Sequence, residues 1–103
     1  MLGAGCLFST ASDLAKFGTA LFAVELLSPA SLENMLKPNL VGYGFGWFIE
    51  SNKVWHGGDV AGYSTRLTRY LSDGTMVIML SNVDGKKGAH MGHFSKLIEG
   101  CLY

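Results

Sequence analysis

The feature that most constrains this chain is a change of hydrophobic period near Tyr43. Before it, apolar residues recur at helical spacing: Leu14, Phe17 and Leu21 fall at i, i+3 and i+7, and the stripe runs to about Val24. Ser9-Thr10-Ala11-Ser12-Asp13 opens that helix, with Thr10 as N-cap and an acidic residue three positions on, where orphan N–H groups need an acceptor. Ser28-Pro29 reads as a second start, a cap followed by proline at the first helical position, and Pro38 stops the short helix that carries Leu32, Met35 and Leu36.

From Tyr43 the period becomes 2. Four strand-like runs follow, Tyr43 to Glu50, Lys53 to Gly57, Gly62 to Leu71 and Thr75 to Ser81. Ser51-Asn52 and Ser72-Asp73-Gly74 read as hairpin turns, since Asn, Asp and Gly accept positive φ, and the result is an antiparallel meander. Met76-Val77-Ile78-Met79-Leu80 does not alternate, so both of its faces are expected to be buried, as in a central strand. Lys86 to Cys101 returns to helical spacing, with Met91, Phe94, Ile98 and Cys101 on one face. The expected fold is α+β within a single domain of residues 1–103: a helical segment over 1–38, about four antiparallel strands over 43–82, and a C-terminal helix over 86–101.

Charge excludes several functions. Eight Lys and Arg balance eight Asp and Glu, leaving no basic footprint for nucleic acid or an anionic membrane. Charged residues make up only 16% of the chain against about 25% in ordinary soluble domains, too few to clothe the surface, so something is expected to cover part of it. No apolar run is long enough to span a bilayer, and Met1 to Cys6 has neither the basic start nor the apolar run of a secretion signal. Cys6 and Cys101 form neither a disulfide framework nor a zinc pattern and are expected to be two buried thiols. His90 and His93 sit i, i+3 without a third ligand, which favours a solvated helix face over a metal site. Gly44-Phe45-Gly46 lacks the third glycine of a dinucleotide-binding run and is assigned to strand. No metal or cofactor is expected.

Trp55-His56-Gly57-Gly58-Asp59 is the segment with chemistry in it: paired glycines let a backbone approach a ligand closely, and a titratable ring stands beside them. On residue types alone, a glycine-rich bend with a surface histidine is the better explanation.

The order of segments discriminates between the two. Gly5-Cys6-Leu7-Phe8-Ser9-Thr10-Ala11-Ser12-Asp13-Leu14-Ala15-Lys16-Phe17, then Leu27-Ser28-Pro29, Tyr43-Gly44-Phe45-Gly46-Trp47, His56-Gly57-Gly58 with Gly62-Tyr63-Ser64, and Asp73-Gly74 ahead of a strand ending Ser81-Asn82 resembles the C-terminal part of the serine β-lactamase-related family. That group holds class C β-lactamases, penicillin-binding D-Ala-D-Ala peptidases and related esterases. The resemblance implies a fragment of that fold, acting on an acyl or peptide-like small substrate. Three motifs meet at the family's pocket: a Ser-x-x-Lys nucleophile, a Tyr-x-Asn or similar base, and a Lys-Thr-Gly or His-x-Gly triplet on a strand edge. His56, Gly57 and Gly58 match the third, and the N–H of Asp59 would be one oxyanion donor. His56 in place of lysine and Gly57 in place of threonine lean away from β-lactam hydrolysis towards a peptidase or esterase. No serine in the chain has a lysine three residues on, and neither Tyr-x-Asn nor Ser-x-Asn occurs.

The chain thus reads as one strand wall of a serine acyl hydrolase, inert without the missing N-terminal portion that would carry nucleophile and base. A small self-associating or peptide-binding module is the competing reading, and a hydrolase using Ser9 or Ser64 a third. In the resembling family the strand matching Thr75 to Ser81 has a second neighbour from the N-terminus. Without it, a bare apolar edge predicts a homodimer or aggregate. Family members usually act outside the cytoplasm, but nothing in this chain assigns a compartment.

Overall fold

A computed structural model describes residues 4–83 and 90–103. Helices α1 (Ala11–Phe22) and α2 (Pro29–Met35) precede four strands, β1 (Phe48–Glu50), β2 (Lys53–Val60), β3 (Tyr63–Tyr70) and β4 (Met76–Ser81), and helix α3 (Met91–Leu102) follows. The strands form one antiparallel meander in the order β1-β2-β3-β4, so the α+β expectation holds.

Both expected caps are made. The Thr10 hydroxyl accepts the Asp13 N–H at 3.1 Å, and the Ser28 hydroxyl accepts that of Ser31 at 3.1 Å ahead of Pro29. The first helix stops earlier than its apolar stripe. The Glu25 N–H reaches back to the Ala20 carbonyl and that of Val24 to Leu21, a Schellman closure in which Val24 takes the left-handed position, φ 63°.

The sheet starts later than its alternation suggests. Only Phe48 to Glu50 of the expected Tyr43–Glu50 run is strand; Tyr43 makes one isolated bridge to Phe48, and Gly44-Phe45-Gly46 is a reversal, not strand. The cause lies outside the segment. The Phe45 N–H bonds the Met35 carbonyl at 2.9 Å, and a Cβ on Gly44 would stand 2.2 Å from that same oxygen, so the end of α2 draws this stretch out of the sheet. Gly46, at φ 83°, completes the reversal.

The Ser51-Asn52 turn forms without positive φ at either residue. Asn52 acts through its side chain instead, accepting the Ser72 N–H at 3.1 Å, while its carbonyl accepts that of Leu71 at 2.8 Å. The two hairpin turns at that end of the sheet are thereby tied together.

Val54, Leu21 and Trp47 form the buried core between the sheet and the first two helices, flanked by Phe22, Leu32, Met35, Leu36, Ile49 and Leu67. β4 ends the sheet and is not the buried central strand its run of apolar residues suggests. It is half-buried, with Leu80 42% exposed, because among the described residues β3 is its one strand neighbour and α1 covers one face, with Met76 against Gly18.

α3 is rotated from its expected face. Met91, Ser95, Ile98 and Glu99 turn inward, while Phe94 and Cys101 are exposed, and the expected start at Lys86 lies outside the described residues. A polar anchor sets the rotation. Glu99 accepts from Lys53 Nζ at 2.9 Å and from the Tyr70 hydroxyl at 3.1 Å. Those bonds, Lys53 first, hold the Glu99 carboxyl below its usual range, whereas burial and the same carboxylate push the Tyr70 phenol up to about 12. Cys6 is exposed as well, so the expectation of two buried thiols fails at both ends.

A β-branched residue at left-handed φ costs roughly 1–2 kcal/mol, part of which glycine returns as unfolded-state entropy. Val24→Gly is therefore expected to stabilise the chain by about 0.5–1 kcal/mol in urea unfolding. A variant less stable than the parent would show that the Val24 side chain contributes more in contacts than its backbone costs.

Candidate functional site

Two two-residue turns fix which way each backbone group of β2 points. Glu50 pairs with Lys53 across Ser51-Asn52, and Val60 pairs with Tyr63 across Ala61-Gly62, where Gly62 takes φ 83°. The pair closing such a turn exchanges both backbone hydrogen bonds, and every second pair after it does the same. Counting from Val60, residues Val60, Gly58, His56 and Val54 direct their N–H and C=O at β3. Counting from Lys53, residues Lys53 and Trp55 direct theirs at β1, and Gly57 and Asp59 share that parity.

β1 ends at Phe48, opposite Trp55. Beyond that point no described strand lies beside β2, and the backbone groups of Gly57 and Asp59 face an open edge. His56-Gly57-Gly58 is accordingly continuous strand within Lys53–Val60, extending past the expected end at Gly57, and not a bend; the bend is Ala61-Gly62. The N–H of Asp59, the expected oxyanion donor, points away from β3 and towards this edge.

The two glycines are there for different reasons. A Cβ on Gly57 would stand 3.0 Å from the Thr65 carbonyl oxygen, a backbone atom that cannot rotate away. At Gly58 the nearest atom is the Thr65 hydroxyl at 3.3 Å, a group that can move. The packing of the sheet accounts for Gly57 and leaves Gly58 to another cause.

His56 is exposed at the mouth of the edge, its ring 5.9 Å from Phe48 at an interplanar angle of 22° and 6.2 Å from Tyr43. Phe48 also stacks on Trp55 at 4.4 Å, so the point where β1 stops is walled by aromatic rings. The Asp59 carboxylate turns inward along the strand and accepts a hydrogen bond from the Ser64 hydroxyl. Ser64 is 0% exposed, which removes it as a nucleophile for any bound molecule; Ser9 is exposed and its hydroxyl donates to the Thr10 carbonyl.

On the opposite face Arg66 pairs with Gly57 and lays its guanidinium 3.7 Å from the centre of the Trp55 ring. Sequence reading passed over this residue because its position across from Gly57 depends on the Ala61-Gly62 turn. His90 and His93 lie at the start of α3 near Arg66, with no third ligand: the described residues hold no group of three or more His, Cys, Asp or Glu suited to a metal. No described helix is long and apolar enough to cross a membrane.

Residues 2–98 match the family model described as Beta-lactamase. The chain belongs to the serine β-lactamase-related family. Penicillin-binding protein 4* of Bacillus subtilis is 35% identical to it over 78% of this chain and 20% of its own length. The putative penicillin-binding protein PbpX of the same organism is 29% identical over 95% of this chain and 25% of its own. The crystal structure of a penicillin binding protein from Bacillus halodurans superposes with a TM-score of 0.71 over 85% of this chain and 30% of its own, at 22% identity, a likeness of fold. The chain thus spans a fifth to a quarter of the length of the curated relatives it matches.

Alanine at the two glycines separates their roles. Gly57→Ala is expected to lose about 1–3 kcal/mol, because a backbone oxygen must move, and Gly58→Ala under about 1 kcal/mol. Chemical denaturation of both variants checks the order, and equal losses would show that Thr65 constrains the two positions alike.

Proposed function

We propose that this chain forms one wall of the active site of a β-lactamase-like or penicillin-binding-protein-like serine acyl hydrolase, and that it is inert alone. The observation that carries the reading is the open edge of β2, where Gly57 and Asp59 offer backbone N–H and C=O groups to a peptide-like substrate lying in line with β1. Strand addition of this kind positions a scissile carbonyl through main-chain bonds. The Asp59 N–H would be one oxyanion donor, a group of the kind worth about 10²–10³ in rate where it has been removed from other enzymes. His56, exposed among Phe48 and Tyr43, would supply a polar contact beside the substrate, and Gly58 would keep the edge clear of side chains.

A polarised carbonyl still needs something to attack it. With no Ser-x-x-Lys in the sequence and Ser64 sealed beneath Asp59, nucleophile and base would come from the rest of a longer parent enzyme. The chain is expected to hydrolyse neither a chromogenic cephalosporin nor a short-chain p-nitrophenyl ester above the buffer rate. Turnover abolished by changing one serine, Ser9 for example, to alanine would overturn the reading. The alternative, a peptide-binding module without catalysis, uses the same edge. A penicillin-type covalent probe separates the two once a parent chain is in hand, since only an enzyme with a reactive serine becomes acylated.

The second open edge favours self-association. Met76 to Leu80 carries no charge and no proline, and β4 has no described neighbour on its outer side. We propose that two copies pair there in isolation. Light scattering coupled to size exclusion at tens of micromolar should return the mass of a dimer or larger species. Leu80→Lys, at an exposed position, should restore a monomer with little loss of thermal stability. The unsubstituted 103-residue chain eluting as a clean monomer would overturn the proposal.

A further inference from the structure

Asp59 occupies a point of the β2–β3 ladder that no backbone bond spans. Its pair with Ser64 lies between Gly58–Thr65 and Val60–Tyr63, the pairs that exchange backbone hydrogen bonds, so neither Asp59 nor Ser64 directs a backbone group at the other. Ser64 directs its N–H and C=O at β4, where it faces Ser81. Those of Asp59 point to the side on which β1 has already stopped, at Phe48. Gly57, paired with Arg66, shares this geometry.

One feature separates Asp59 from Gly57. Opposed residues of a pair without backbone bonds approach to about 4.5 Å between Cα atoms, closer than in the bonded pairs, so short side chains can meet across it. Asp59 and Ser64 do meet: the Ser64 hydroxyl donates to one oxygen of the Asp59 carboxylate. Ser64 is 0% exposed, which shields the donor end of that bond from water. The carboxylate keeps to this partner although it lines a cavity of about 530 Å³ together with Arg66, His90 and His93, and it forms no ion pair among the described residues. A side-chain bond thereby stands where the ladder lacks a backbone bond, at a residue whose N–H faces the open edge.

We propose that Ser64 is a positioning residue: through the Asp59 carboxylate it fixes the Asp59 peptide, and with it the direction of the Asp59 N–H, for a carbonyl docked at the β2 edge. This deepens, and rests on, the reading of that N–H as an oxyanion donor. Such a donor is effective when it is aimed before the substrate arrives, about 2.7–3.1 Å from the oxygen it serves. A peptide unit left free would instead have to be ordered at each docking event. The serine that burial removes as a nucleophile would thus serve the site without touching the substrate.

The test is backbone relaxation of the ¹⁵N-labelled 103-residue chain, with NMR titration by acetyl-Ala-Ala-Ala-amide, an uncharged peptide, as the docking probe. In the unsubstituted chain the peptide should shift the Gly57 and Asp59 amides, and Asp59 should have the order parameter of rigid backbone, about 0.85. Ser64→Ala should lower the Asp59 value towards about 0.6 and leave Gly57 as it was. It should also weaken peptide binding about five-fold, the lower end of the cost of ordering one residue's backbone. Asp59→Ala, made at an exposed position, should do the same and replaces Ser64→Ala if that variant fails to fold. Asp59→Asn keeps an acceptor for the hydroxyl and should preserve both rigidity and binding. An Asp59 amide as rigid in Ser64→Ala and Asp59→Ala as in the unsubstituted chain would overturn the positioning role while leaving the docking edge intact. Mobility that spreads equally to Gly57 would overturn it too, since the bond would then hold the sheet and not the donor. A peptide that moves neither amide would overturn the docking edge, and the positioning role with it.

Discussion

The eight-residue ladder between β2 and β3, from Lys53 opposite Tyr70 to Val60 opposite Tyr63, is the constraint on which the rest of this chain depends. Because two-residue turns close β2 at both ends, its parity is set twice and cannot slip by one residue without turning every side chain to the other face. Val54 goes to the core with Leu21 and Trp47, Trp55 goes under α3, and Gly57 and Asp59 are left facing outward. β1 then needs only to stop early for an edge to appear, and the Met35 carbonyl, by holding Phe45, makes it stop.

The scarcity of charge has a structural counterpart. Leu7, Phe8, Leu40, Val41 and Phe45 are large apolar side chains almost entirely in water. A single such residue is ordinary on a monomer, but several, with two sheet edges that have no described neighbour, are surface that further chain could cover. The relatives are four to five times longer than the part matched here, which agrees with covering by more chain.

Local signals were legible and distant ones were not. Thr10 and Ser28 could be assigned as caps because the acceptor and the N–H it serves lie three residues apart. The meander was legible from alternation and turn residues, since hairpins pair neighbours in sequence. Three expectations failed because each depended on a partner far along the chain. Gly44 to Gly46 left the sheet for Met35, α3 rotated so that Glu99 could meet Lys53 and Tyr70, and the β4 run, at the edge expected for it without a second neighbour, stayed half-buried because nothing described lies beyond it. His56-Gly57-Gly58 was legible as a matching motif, whereas its continuity as strand followed from the turn at Ala61-Gly62, and with it the position of Arg66. The Cys101 thiol failed for the same reason as α3, since it belongs to the face that Glu99 turned outward.

An open edge of this length costs the isolated chain little, because water satisfies the outward groups of Gly57 and Asp59. The same fact limits what the edge can contribute to binding. Exchanging water for a peptide backbone is worth about 0.5–1.5 kcal/mol per hydrogen bond, and ordering even a short peptide costs about 1–2 kcal/mol per residue. Main-chain pairing at two residues would therefore fix the direction and register of a bound chain without holding it tightly. Affinity and selectivity have to come from groups that lie beside the edge without belonging to it. The aromatic wall of Tyr43 and Phe48 with His56 stands at one end of it, and Arg66 on Trp55 lies across from Gly57, the residue whose side chain the sheet has no room to pack.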